Sequence, residues 1–268
     1  MTGWGRASCI SQRERSASSA IKIQIMKVER RRLLSGAADA SGIVVVIDVL
    51  RAFTCSALMF RFGIRDLALV RTPEEALAFR AVDPSYLVAG EVKGRKVEGF
   101  DIGNSPADIV AKGERFFNGR RVAARSSAGT QGVLASASRA RQLILGSYLT
   151  AAATGAYIRD LARVDALVAG EDVTITLVAM GFEGIRPSIE DERCADYLEH
   201  LLIGTPYDHL QAVWDCMQDD DIAASLRGEH DYRPREDVIL ALQRDVFDFV
   251  MIGHPEDGHV RVTRRDVR

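Results

Sequence analysis

The run "GIVVVIDV" (residues 42–49) sets the strongest constraint on what this chain can fold into. Five consecutive branched residues, Ile43 to Ile47, favour extended backbone. The run has no polar alternation, so both faces of the strand must be buried. A sheet covered on each face by helices meets that demand, which points to the α/β class. Asp48 stands at the end of this run. A carboxylate against an apolar strand is costly unless it is paired or bound to a metal. Arg51 is the local candidate for a partner.

The rest of the chain repeats the pattern. Strands are predicted at 21–28, 66–70, 85–90, 120–125, 142–147 and 172–181, with two more at 247–253 and 259–264. Helical spacing is predicted over 51–63, 72–82, 105–113, 129–140, 150–162, 188–202, 207–217, 219–227 and 235–244. Two of these starts carry their own signals: Thr72 before Pro73, and Ser105 before Pro106. Strand–helix alternation predicts a three-layer α/β/α architecture with a largely parallel, mixed sheet. Residues 1–20 are rich in Arg and Ser and are expected to form a disordered tail. Residues 21–268 are expected to form a single catalytic unit of one or two lobes.

Composition narrows the function. The net charge of −2 gives no general electrostatic grip on nucleic acid or an anionic membrane. No apolar run reaches the roughly 18 residues of a membrane-spanning helix. The cysteines at 9, 55, 194 and 216 form no CxxC pair, as expected of reduced thiols in a cytoplasmic protein. No HExxH motif is present, which argues against a zinc hydrolase. Nothing in the sequence opposes a homo-oligomer.

Ligands of open α/β sheets bind beyond the carboxyl ends of the strands. Polar residues gather at those predicted ends: Asp48, Glu91, Ser126, Ser127, Thr130, Ser147 and Glu183, with Glu190 and Asp191 opening the next helix. In "GEVKGRKVEGFDIGNSPADI" (90–109), Glu91 leaves a strand, glycines allow tight turns, and Asn104 and Ser105 reach a helix start. In "ARSSAGTQG" (124–132), two serines, Gly129 and Thr130 precede a helix whose N-terminus favours an anion. An ordinary helix cap explains that segment equally simply. In "GFEGIRPSIED" (181–191), Arg186 could meet an acid group, as could Lys93; Ser188 and Asp191 could form a capping box. "GHPEDGH" (253–259) reads as a turn between two strands.

Together these segments, with "GSYLTAAA" (146–153), resemble the 2-phosphosulfolactate phosphatase (ComB-like) family over roughly residues 25–263. The resemblance implies an α/β, Mg²⁺-dependent acid phosphatase. Its named reaction removes phosphate from (R)-2-phospho-3-sulfolactate in coenzyme M synthesis, so the implied partner is a small phosphorylated anionic metabolite. Asp48, Glu91, Glu190 and Asp191 are then the expected Mg²⁺ ligands. Asp48, Arg51, Glu91 and Asp191 are the expected catalytic set. Asn104, Ser105, Ser126, Ser127, Gly129, Thr130 and Arg186 are the expected substrate contacts. The chain departs from the family's Thr-Thr-Asn-Gly-Thr pattern at Ala128, and has Thr150 where the family has Asn. Those losses motivate a second expectation, a non-catalytic or altered-specificity binder of an anionic metabolite.

Overall fold

The computed structural model describes residues 26–169 and 173–267. The elements run β1 (Met26–Arg32), α1 (Leu33–Ala38), β2 (Gly42–Ile47), α2 (Ala52–Arg61), β3 (Asp66–Leu69), α3 (Pro73–Val82), β4 (Tyr86–Val92), β5 (Arg95–Lys96), α4 (Pro106–Phe117), β6 (Arg121–Arg125), α5 (Gly129–Ser136) and β7 (Ala140–Gly146). There follow a short 3-10 turn (Tyr148–Thr150), α6 (Ala151–Ala169), β8 (Val173–Ala179), α7 (Ile189–Ile203), α8 (His209–Gln218), α9 (Asp220–Leu226), α10 (Arg235–Ala241), β9 (Phe249–Glu256) and β10 (His259–Asp266).

The strands form one mixed sheet in the order β1-β8-β2-β7-β9-β10-β3-β6-β4-β5. The fold is the expected α/β type, with helices on both faces. As the apolar run demands, β2 lies inside the sheet between β8 and β7, and every residue from Ile43 to Ile47 is fully buried. Its two faces feed two cores. Val44 and Val46 pack with Phe53, Phe60 and Val133 of α2 and α5. Ile43, Val45 and Ile47 pack with Ile158, Cys194 and Leu198 of α6 and α7. A third, smaller core lies under α3, where Ala76 meets Val88 and Ala123.

The sheet contains a reversal. The groups β1-β8-β2-β7 and β3-β6-β4 are each internally parallel, but the antiparallel hairpin β9–β10 joins them with opposite sense. In a flat sheet their carboxyl ends would lie on opposite edges. Strand twist of about 20–25° per pair accumulates to roughly 120–150° over the steps from β2 to β4, which swings the two sets of ends toward each other. The contact is direct: the Gly129 N–H, following β6, donates to Asp48, following β2, at 2.7 Å.

Local signals position the loops. Thr72 and Glu75 form a reciprocal capping box with Pro73 in the first turn of α3. Ser105 caps α4 through the Asp108 N–H. That helix runs past its expected end, kinking at Gly113 (φ 61°) and continuing to Phe117. Within 253–259 the turn is confined to Asp257-Gly258, as Asp-Gly suggests, while residues 253–256, Pro255 included, belong to β9. The strand expected at 21–28 is observed from Met26; residues 21–25 and the tail at 1–20 lie outside the described residues. The short helix α1 carries no cap or periodicity signal and was not expected from sequence.

Gly90 marks the tightest backbone approach beside the β4–β6 ladder. Its φ is +127°, and a Cβ there would sit 1.9 Å from the Arg125 carbonyl oxygen. Gly90→Ala is therefore expected to cost about 3 kcal/mol or more, from strain together with a backbone collision. Gly119→Ala, at φ +73° but with open space around it, should cost about 1 kcal/mol. Urea unfolding of the two variants measures the difference; equal losses would contradict this reading of Gly90.

Candidate active site

Three buried carboxylates stand where the strand ends converge, each held by backbone N–H groups. The Asp48 carboxylate accepts from Ala52 N at 3.0 Å and Gly129 N at 2.7 Å. Asp191 accepts from Val49 N at 2.7 Å and Gly181 N at 2.8 Å. Glu91 accepts from Ser127 N at 2.5 Å and Gly94 N at 2.6 Å, and from the Ser127 hydroxyl at 3.1 Å. The carboxylates are thus oriented by peptide groups from loops distant in sequence. Gly129 is required here, because a Cβ would lie 2.6 Å from an Asp48 oxygen.

The charges are crowded. Burial pushes the Asp48 carboxyl up to about 6, helped by the nearby Glu91 charge and opposed by the amides of Ala52 and Gly129 and by Arg51. Burial also pushes Glu190 up to about 7; Asp48 adds to this, while hydrogen bonding and Arg233 oppose it. Asp191 is raised well above the usual carboxylate range by burial, Glu190 and Asp48. Buried acids that repel one another in this way call for a cation.

Asp48, Arg51, Glu91, Asn104 and Ser127 line a single small cleft of about 50 Å³, together with Gly94, Ala128, Gly181, Glu183, Tyr232 and Arg233. A match to the sequence model of the 2-phosphosulpholactate phosphatase family spans residues 30–255. The chain belongs to that family. It is 35% identical over 161 residues to the "Probable 2-phosphosulfolactate phosphatase" of Deinococcus radiodurans, covering 60% of this chain and 62% of that one. It is 30% identical over 162 residues to the Bacillus subtilis protein of the same name, covering 60% and 64%. The Clostridium acetobutylicum protein of that name is 29% identical over 196 residues, covering 72% of each chain. The chain thus spans less than two thirds of the length of the first two relatives.

Other expected site residues of this family member do not line the cleft. Ser126 and Thr130 bond each other through hydroxyl and backbone groups, bracing the turn before α5. The Gly129 N–H is committed to Asp48 rather than free for an anion. The Ser105 hydroxyl donates to buried Asp237 at 2.7 Å. Arg186 is exposed, with its guanidinium over the Phe182 ring at 5.1 Å. Glu190 and Asp191 are buried but do not line the cleft. Ser188 makes no side-chain cap to its helix, and Asp191 turns to Val49 and Gly181, so the alternative capping box is absent.

Arg51 does not pair with Asp48. Its Nη1 donates to Asp237 at 3.0 Å and to the Tyr232 carbonyl at 2.6 Å, and its Nη2 donates to the Gly94 carbonyl at 2.8 Å. It therefore staples the β4–β5 turn to the segment before α10 across the cleft. Tyr232, Arg233 and Asp237 escaped the sequence reading. They follow no strand, and the Asp237 partners lie 130 to 186 residues away. The only local signal was "YRP" ahead of a helix.

Among the described residues, no three His, Cys, Asp or Glu side chains form a group that could hold a metal ion. Mg²⁺, however, commonly takes only one or two carboxylates, completing its shell with waters and phosphate oxygens. The cleft-facing Asp48 and Glu91 fit that pattern, and the mutual repulsion of the buried acids favours it.

The raised carboxyls have a consequence for stability. A carboxyl whose folded pKa lies above its unfolded value stabilises the fold at low pH and loses that contribution as pH rises through the folded value. For Asp48 and Glu190 the loss runs from about pH 4 to about 6 and 7. In chelator, Asp48→Asn should lose less thermal stability than wild type between pH 5 and 8. Mg²⁺ should stabilise wild type more at pH 8 than at pH 5. Parallel melting curves for the two proteins across this range would contradict the assignment.

Proposed function

We propose that the protein is a cytoplasmic, Mg²⁺-dependent phosphatase acting on a phosphomonoester of a small anionic acid of the 2-phosphosulfolactate type. The observation that carries this is the pairing of two amide-braced carboxylates, Asp48 and Glu91, with polar and guanidinium groups in one small cleft. Family membership supports the reaction class. The relatives' shared name, 2-phosphosulfolactate phosphatase, supports the substrate class. The size of the cleft suits a small acid better than a nucleotide.

Asp48 and Glu91 would hold the ion, with Glu190 and Asp191 buried behind them. When bound, Mg²⁺ neutralises phosphoryl oxygens and supports a nucleophilic water. Asn104 orients the ester by hydrogen bonding, while Ser127 braces Glu91 through its N–H and hydroxyl. Arg51 keeps the two loops bordering the cleft together. Hydrolysis breaks the phosphorus–oxygen ester bond; water supplies the new oxygen on phosphorus and a proton to the leaving alkoxide.

A second reading, an anion binder without turnover, is favoured by Ala128, which lines the cleft at the position where the family carries an amide side chain. Phosphate release from a panel of phosphorylated 2-hydroxy acids separates the two. Wild type should turn over at least one of them only with Mg²⁺, and Asp48→Asn should lose about 100-fold or more in kcat/KM. Thermal stabilisation by these compounds with no release of phosphate would establish the binder instead.

A further inference from the structure

The fate of the basic side chains around the cleft isolates one residue. Lys93, Arg95, Lys96 and Arg186 are exposed and none of them lines it. Arg51 lines it, but both N–H groups of its Nη1 serve the Tyr232 carbonyl and Asp237, and its Nη2 is held by the Gly94 carbonyl. Arg233 lines it too, is 5% exposed, and is fixed from behind. Its Nε donates to the Ser225 hydroxyl at 2.6 Å. Its Nη2 donates to the Asp221 carbonyl at 2.9 Å and the Asp221 carboxylate at 2.5 Å. These contacts hold the guanidinium plane without involving Nη1.

The two arginines of the cleft are anchored on different elements. Arg51 is tied to the β4–β5 turn that follows Glu91, whereas Arg233 is tied to α9. The loop Gly181–Glu183 and Tyr232 complete the lining. A ligand with its phosphoryl group at Asp48 and Glu91 would leave a second group to be received elsewhere in the cleft. A guanidinium already oriented by its own protein recognises an anionic oxygen with little loss of side-chain entropy.

We infer that Arg233 is the specificity-determining residue of the cleft, binding through its Nη1, which has no partner among the described residues, the acid group of the ligand that is neither the phosphoryl group nor the carboxylate. The inference rests on the proposed substrate class and assigns the selection within it to one side chain. Asp221 and Ser225 act as positioning residues through Arg233. An acid-bearing ligand is then preferred over an otherwise similar one without the second acid, and the preference belongs to binding rather than to bond cleavage.

Calorimetric titration with 3-sulfolactate and with lactate, which differ by the sulfonate, tests this without requiring turnover. Wild type should prefer sulfolactate by about 10- to 100-fold, as expected of a charge-assisted hydrogen bond. Arg233→Gln should remove most of that preference. With an acid-bearing phosphate ester, the same change should raise KM far more than it lowers kcat. Arg233→Lys keeps a cation but not the fork that serves Asp221, Ser225 and ligand together, so it should lose part of the preference. It decides the matter if the glutamine variant does not fold. An unchanged preference in the folded variants, an equal loss for both ligands, or no preference in wild type would overturn the inference. An intact preference without phosphate release by wild type would count against the phosphatase reading alone.

Discussion

The arrangement depends on one kind of interaction: peptide N–H groups donating to carboxylates that the fold has buried. Gly129 N to Asp48 joins the end of β6 to the end of β2, 81 residues apart. Val49 N and Gly181 N to Asp191 join two strand ends to the start of α7. Ser127 N and Gly94 N to Glu91 close the third loop. Each bond partly offsets the cost of burying charge and fixes a carboxylate without using a side chain. The residual repulsion among these acids would be relieved by the cation proposed for the site.

Twist makes the convergence possible. The β9–β10 hairpin inverts strand sense midway through the sheet, so a planar sheet would separate Asp48 from Glu91. Accumulated twist brings the ends together, and two glycines allow the final approach. At Gly90 the neighbouring strand's carbonyl leaves no room for a Cβ, and at Gly129 the Asp48 carboxylate leaves none. The Arg51 staple and the Arg95–Asp231 ion pair then tie the β4–β5 turn to the segment before α10.

Much of this was legible in the residues. The branched run 43–47 announced a strand buried on both faces, and the capped helices at Thr72 and Ser105 announced their own starts. The polar residues at strand ends marked loops that the structure brings together around the cleft. Which side chains face the cleft was not legible, because that depends on partners far away in sequence. Ser126 and Thr130 carry the hydroxyls of an anion site but satisfy each other; Ser105 turns to Asp237. Arg51 looked like a partner for Asp48 three residues earlier, yet a carboxylate 186 residues away claims it. Arg233 was invisible for the same reason in reverse: its importance comes from α9 behind it and the cleft in front.

The most direct test of the account is a crystal of the protein soaked with Mg²⁺ and inorganic phosphate. The account predicts cation density at about 2.0–2.1 Å from an oxygen of Asp48 or Glu91, with phosphate beside it in the cleft bordered by Ser127 and Arg233. A cation bound elsewhere, or phosphate held at the α5 N-terminus away from Asp48 and Glu91, would contradict it.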